Sequence, residues 1–199
     1  EIVTRNFLVL PDCPGYGTQN SVSGLVLKDK GIVPSPDRQR ALEAGFQKEK
    51  AFAMVNGAIA AQNGCCNLTT LDVCSVNLLT GEAEFVKAGA APSYIKRGNW
   101  VDEVAADTLP LGSMDELSPI TQSVRLADTD MLIMVSDGVS DAIDDAAVGR
   151  LRELISRSPI QNPKEMADYL LSSAISSQGG RIRDDMTVLT CCVKRRAGV

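Results

Sequence analysis

The sequence predicts an α+β chain, with strands in two stacked layers and helices outside. Three observations point there. Short apolar or alternating runs are separated by turn residues, as strands are. Apolar residues recur at helical spacing over 48–62 and again in the last third of the chain. The order is strands, two helices, a strand meander, two helices and a last strand, which lacks the strict βαβ alternation of a parallel sheet.

FLVLP (7–11) reads as a strand, DCPGYGTQN (12–20) as turn-rich chain, and SGLVLKD (23–29) as a second strand, so the chain opens as a hairpin. GIVPSP breaks the pattern. Asp37 then caps a short helix that contains Arg40 to Ala44 and ends at Gly45. KEKAFAMVNGAIAAQ (48–62) is a clearer helix. Strands follow at TLDVCSVNL (70–78), EAEFVKAG (82–89), PSYIKRG (92–98) and WVDEV (100–104). After the LPLG loop come ITQSVRL and DMLIMVSD. AIDDAAVGRLRELI (142–155) reads as one amphipathic helix, with Asp141, Asp144 and Asp145 at its start. Asn162-Pro163 opens another, with proline at the first helical position. DMTVLTCCVK (185–194) closes the chain as a β-branched strand. No repeat or linker interrupts the 199 residues, so one domain spanning 1–199 is expected.

Composition removes several functions. The net charge of −5 disfavours nucleic acid and anionic membrane surfaces. No apolar run approaches the roughly 20 residues of a membrane span. No signal peptide opens the chain, and its first residue is Glu1, so a processed product or a piece of a longer chain is expected. The six cysteines lack zinc-ligand spacing, and Cys191-Cys192 reads as two small apolar residues on opposite faces of a strand. Free thiols suit a cytoplasmic protein. There is no histidine, so a Ser-His-Asp or Cys-His centre is excluded. Catalysis must then use carboxylates, Lys, Tyr, Cys or a metal held by oxygen.

Three apolar strands meet acids. Asp29 ends GLVLKD, Asp137 ends MLIMVSD, and Asp184-Asp185 precede MTVLTCC. If those strands are neighbours, the carboxylates converge and repel. Mg²⁺ or Mn²⁺ answers that repulsion with oxygen ligands and bound water. Such a water is a nucleophile at neutral pH, and a phosphate ester is the matching substrate. Each acid taken singly is also an ordinary turn former or helix cap.

The stretches ALEAGFQKEKAFAMVN, TTLDVCSVNLLTGEAEFVKAGAAPSYIKRG, TLPLG, DMLIMVSDG and IRDDMTV carry a more specific signal. Together they resemble the phosphatase domain of the stage II sporulation protein E family, a branch of the PPM metal-dependent serine/threonine phosphatases. The resemblance implies a two-layer antiparallel β-sandwich flanked by helices. It implies two Mn²⁺ or Mg²⁺ ions, and phosphoserine in small anti-anti-sigma (STAS) proteins as substrate. It places Asp137 and Asp184 as metal ligands, with Asp185 in support. For the bridging aspartate two stretches compete, LVLPDCPG with Asp12 and LVLKDKG with Asp29; a full strand and turn precede only Asp29. The resemblance then gives the backbone carbonyl of Lys30 to the metal and puts the family's first-strand Gly-Asp on Thr4-Arg5. Arg5 and Lys30 are cations where the family pattern has Asp and Gly, so they are candidates to meet substrate phosphate. Two expectations follow: an active phosphatase of a sigma-factor switch, or a degenerate domain that binds a phosphoprotein partner. One ion is expected to be held well and the second weakly. The resemblance leaves the oligomeric state open, a homodimer included.

Overall fold

In the computed structural model, the residues described are 4–9, 25–26, 48–61, 68–77, 80–144, 147–180 and 182–194. They form nine strands: β1 (Thr4–Val9), β2 (Leu25–Val26), β3 (Leu71–Asn77), β4 (Glu82–Ala88), β5 (Ser93–Arg97), β6 (Trp100–Val104), β7 (Ile120–Arg125), β8 (Met131–Val135) and β9 (Val188–Cys192). Four helices accompany them: α1 (Lys48–Ala60), α2 (Asp137–Asp144), α3 (Arg150–Arg157) and α4 (Pro163–Ser177). The α+β class holds, with antiparallel sheets and helices. The first sheet has the order β2-β1-β3-β4-β7 and the second β6-β5-β8-β9. The opening hairpin is present, with Phe7 opposite Val26. Its first strand begins at Thr4, three residues before the expected start, and Arg5 pairs in register with Val76. The expected helix around 37–45, Asp12, Asp29 and Lys30 lie outside the described residues.

The chain divides into two compact units, Glu1–Gly89 with Asp107–Val124, and Ala90–Ala106 with Arg125–Val199. In the first unit, Phe52 of α1 packs with Val86 and Ala88 of β4, Leu111, and the half-buried Leu71 and Val73 of β3. Alternation puts Asp72, Cys74 and Val76 on the other face of β3, where they are buried too. There Asp72 stands opposite Lys87 in register, and their charged groups meet at 2.7 Å.

A buried amide ties α1 to the chain after LPLG. Asn56 is 1% exposed. Its Oδ1 accepts from the Gly112 N–H at 2.9 Å, and its Nδ2 donates to the carbonyls of Met114 and Asp115 at 3.0 and 3.1 Å. Asn56→Ala leaves these groups without their partner and should cost about 1–3 kcal/mol of stability. Urea unfolding checks this, and a loss below about 0.5 kcal/mol would fall outside the range for burying unsatisfied groups.

In the second unit all five residues of β8 are buried, so both of its faces are covered. Met131, Ile133 and Val135 meet Val139, Ile143, Leu151, Ile155, Met166 and Leu170 of the three helices. Lys96 of β5, also buried, donates to the carbonyls of Gly98 and Ile155 at 2.7 and 2.9 Å, which caps the end of α3.

The single helix expected over 142–155 is two helices. α2 starts at Asp137 and ends at Asp144, and α3 starts at Arg150. Gly149 sits at φ 83°, a left-handed conformation that an α-helix cannot contain. The Asp144 carboxylate accepts from the Leu151 N–H at 2.8 Å, competing for donors that a continuous helix would use internally. Asp141 therefore lies within α2 instead of starting a helix. Asp144 caps the next helix, and Asp145 lies outside the described residues. The expected helix at Asn162-Pro163 is present: the Asn162 side chain accepts from the N–H groups of Lys164 and Glu165. Cys74, Cys191 and Cys192 carry no disulfide, and Cys13, Cys65 and Cys66 lie outside the described residues.

Candidate metal centre

β8 ends at Val135, and a single residue, Ser136, joins it to α2. The Ser136 carbonyl accepts from the N–H groups of Val139 and Ser140 at 3.1 and 3.2 Å, so it opens the first turn of the helix. Asp137 is the first helical residue, and its Oδ1 accepts from the Gly138 N–H at 2.9 Å. A carboxylate at this end of a helix is favoured by the backbone dipole. Val139, Ala142 and Ile143 bury the inner side of α2, while Asp137 and Asp141 stay exposed one turn apart. β8 thus leads into a charge because the chain turns there into a helix whose outer side is acidic.

The second acidic stretch arrives from the neighbouring strand. β8 and β9 are antiparallel, with Val135 opposite Val188, so the chain before β9 runs beside Ser136 and Asp137. The Ser136 N–H donates to Thr187 O at 3.0 Å, and the Thr187 N–H donates back to Ser136 Oγ at 2.9 Å. Ser136 Oγ in turn donates to Asp185 O at 3.1 Å. Gly138 makes room for this approach: a Cβ there would collide with the Asp185 carbonyl oxygen. Asp184 is exposed at the same turn, and its Oδ1 accepts from the Asp185 N–H at 2.8 Å.

The carboxylates sense one another. Partial desolvation first, then the negative charges of Asp137 and Asp184, push the Asp141 carboxyl above its ordinary range. A cluster of like charges in this state is what a divalent cation relieves. Asp137 and Asp184, on adjoining turns and open to water, suit a hard cation that takes one or two carboxylates and keeps several waters. Among the described residues no three acids or thiols gather into one complete ligand set.

Of the residues singled out by sequence, Asp137, Asp184 and Asp185 are brought together. Asp185 contributes its backbone carbonyl, while its side chain is exposed. Arg5 is placed only by its position in β1. Asp141 and Ser136 were not expected at the site. The spacing of Asp141, four residues after Asp137, was the available signal for the first.

The fold is that of PP2C-type phosphatase domains. The PP2C phosphatase domain of the cell fate determinant SpoIIE from Bacillus subtilis, solved with a fragment of its regulatory domain, superimposes with a TM-score of 0.67 at 30% identity, covering 76% of this chain and 46% of that one. The phosphatase domain of the same protein, from a crystal presoaked with manganese, gives a TM-score of 0.62 at 24% identity over 98% of this chain and 88% of that one. A profile of the stage II sporulation protein E (SpoIIE) family matches residues 38–194. The chain belongs to this family. It is 31% identical to stage II sporulation protein E of Bacillus subtilis (strain 168) over 154 residues, which are 76% of this chain and 18% of that protein. The chain thus spans less than a fifth of that relative's length. Asp137, Asp141, Asp184 and Asp185 fall inside the profile match, whereas Arg5, Asp29 and Lys30 precede it.

Proposed function

We propose that residues 1–199 act as one catalytic domain, a metal-dependent serine/threonine phosphoprotein phosphatase, with a phosphorylated STAS-type anti-anti-sigma protein as substrate. The observation that carries this reading is the Asp184-Asp185 turn seated on Gly138 beside Asp137, in a chain of the SpoIIE family. Asp137 and Asp184 would hold Mn²⁺ or Mg²⁺, with Asp29 as the third carboxylate and the Lys30 carbonyl beside it. When bound, the ion supplies a water that is nucleophilic at neutral pH and neutralises phosphate charge. The chain's own contribution is to hold the carboxylates in place. Arg5 and Lys30 would meet the substrate phosphate. No described helix is long and apolar enough to cross a membrane; the reading places the domain in the cytoplasm.

One observation favours a second reading. The family profile begins at residue 38, past the stretch that should supply the bridging aspartate. A domain with a weakened second ion site would bind phosphorylated partner and turn it over slowly or not at all. Hydrolysis of p-nitrophenyl phosphate and of a phosphoserine STAS protein, with and without Mn²⁺, separates the two. Mn²⁺-dependent turnover abolished by chelator is the expected result for the first reading. Metal-dependent binding of the phosphoprotein without turnover selects the second, and neither behaviour leaves the phosphatase assignment untenable. In the impaired case, Arg5→Asp with Lys30→Gly should strengthen uptake of a second Mn²⁺ and raise hydrolysis. Removing two cations lowers the Coulomb cost of a nearby divalent ion by a few kcal/mol at close range, with an effective dielectric near 20. A calorimetric stoichiometry unchanged in this double variant would count against the idea.

A further inference from the structure

We propose that Ser136 is a positioning residue for the metal centre: its hydroxyl locks the 184–187 turn onto the start of α2 and so sets the placement of Asp184 relative to Asp137. The inference rests on the metal-dependent reading above and deepens it. A serine hydroxyl has one proton to donate and lone pairs to accept with. Here it donates to Asp185 O and accepts from the Thr187 N–H, at 3.1 and 2.9 Å. The main chain of the same residue donates to Thr187 O and accepts the first-turn N–H groups of α2. One residue therefore joins the end of β8, the helix that begins with Asp137, and the turn that carries Asp184. Gly138 acts from the other side, because the Asp185 carbonyl rests where a side chain would be.

The two candidate ligands come from separate stretches of chain, and both carboxylates are solvent-exposed. Their like charges push them apart when no cation is present. These backbone and hydroxyl bonds oppose that push at the turn. Groups that hold ligands without touching the ion typically change metal affinity or activity about 10–100-fold when removed. A hydroxyl that fixes a ligand-bearing turn belongs with them.

The test is Mn²⁺ titration by calorimetry of the parent protein, Ser136→Ala, Ser136→Thr and Gly138→Ala, with melting of each in chelator. Ser136→Ala should weaken Mn²⁺ binding about 10-fold or more, in line with other residues that hold ligands in place. Ser136→Thr keeps the hydroxyl and should recover most of that affinity. Gly138→Ala should weaken binding by a different route, displacing the Asp185 carbonyl. Ser136→Ala and Ser136→Thr should melt within a few degrees of the parent without metal, whereas Gly138→Ala, whose Cβ meets backbone, should melt lower. Unchanged Mn²⁺ affinity in Ser136→Ala overturns the proposal while leaving the phosphatase reading intact. Equal losses in Ser136→Ala and Ser136→Thr, tracking a drop in metal-free melting temperature, reduce Ser136 to a structural residue and also overturn it. A parent protein that takes up no Mn²⁺ removes both the proposal and the reading beneath it.

Discussion

Asp137→Asn should abolish Mn²⁺ binding and phosphoserine hydrolysis while leaving the fold intact. Asparagine keeps the side-chain oxygen that accepts from the Gly138 N–H, so the first turn of α2 retains its bond. The amide removes the charge that an oxygen-seeking cation needs. The loss should be on the order of 100-fold or more, since even partners that only support a ligand account for 10–100-fold. The metal-free variant should be at least as stable as the parent, because one member of a repelling trio is gone. Asp141 gives an independent readout. Its carboxyl is held above the ordinary range by partial desolvation and by the charges of Asp137 and Asp184. Removing the Asp137 charge should lower its titration midpoint, which NMR of the side-chain carboxyl follows. Hydrolysis at the parent rate would remove Asp137 from the centre.

Lys87→Ala should be strongly destabilising, on the scale of truncating a large buried side chain of the first sheet. The Lys87 side chain is 1% exposed and that of Asp72 9%, and they meet at 2.7 Å across β3 and β4. Burial lowers the Lys87 pKa, opposed by the charge and hydrogen bond of Asp72. Truncating the lysine takes the cation from a buried carboxylate, a change that costs about 3–5 kcal/mol in comparable pairs. Replacing both, Lys87→Met with Asp72→Leu, should restore most of the stability, because an apolar pair of similar volume avoids the desolvation penalty. Denaturant unfolding of the single and double variants measures this directly. A loss under about 1 kcal/mol for Lys87→Ala would place the pair with exposed ion pairs instead.

The same pair marks a limit of sequence reading. The run EAEFVKAG announces a strand, and β4 is there. Alternation puts the lysine on the face of Ala83 and Phe85, but the partner that makes its burial tolerable lies 15 residues away and is not announced by the run itself. The strands were legible wherever apolar residues ran together or alternated, as in MLIMV. The helix break was not, because the 142–155 segment keeps a helical rhythm across Gly149 and the deciding bond comes from the Asp144 side chain. At the candidate centre, the residue types Asp137 and Asp184 were readable as strand-end acids. Asp185 was readable only as an acid, whereas its contact with Ser136 is through a carbonyl that every residue possesses. Backbone groups leave no trace in a sequence, so the Ser136 bonds could not have been anticipated.

The antiparallel seam between β8 and β9 has a consequence for the order of events during synthesis. Asp137 leaves the ribosome with its helix, but its partner turn is fixed only by a strand that follows α3 and α4. At about 5–20 residues per second, the intervening segment takes seconds to appear. Until β9 docks, the hydrophobic edge of β8 is open and the acids at its end have no counterpart to share an ion with. A nascent chain is thus unable to acquire this half of the centre before almost all of the described residues have been made. On the proposed reading, metal capture through Asp137 and Asp184 would be a late event, reserved for chains that have already closed the second sheet.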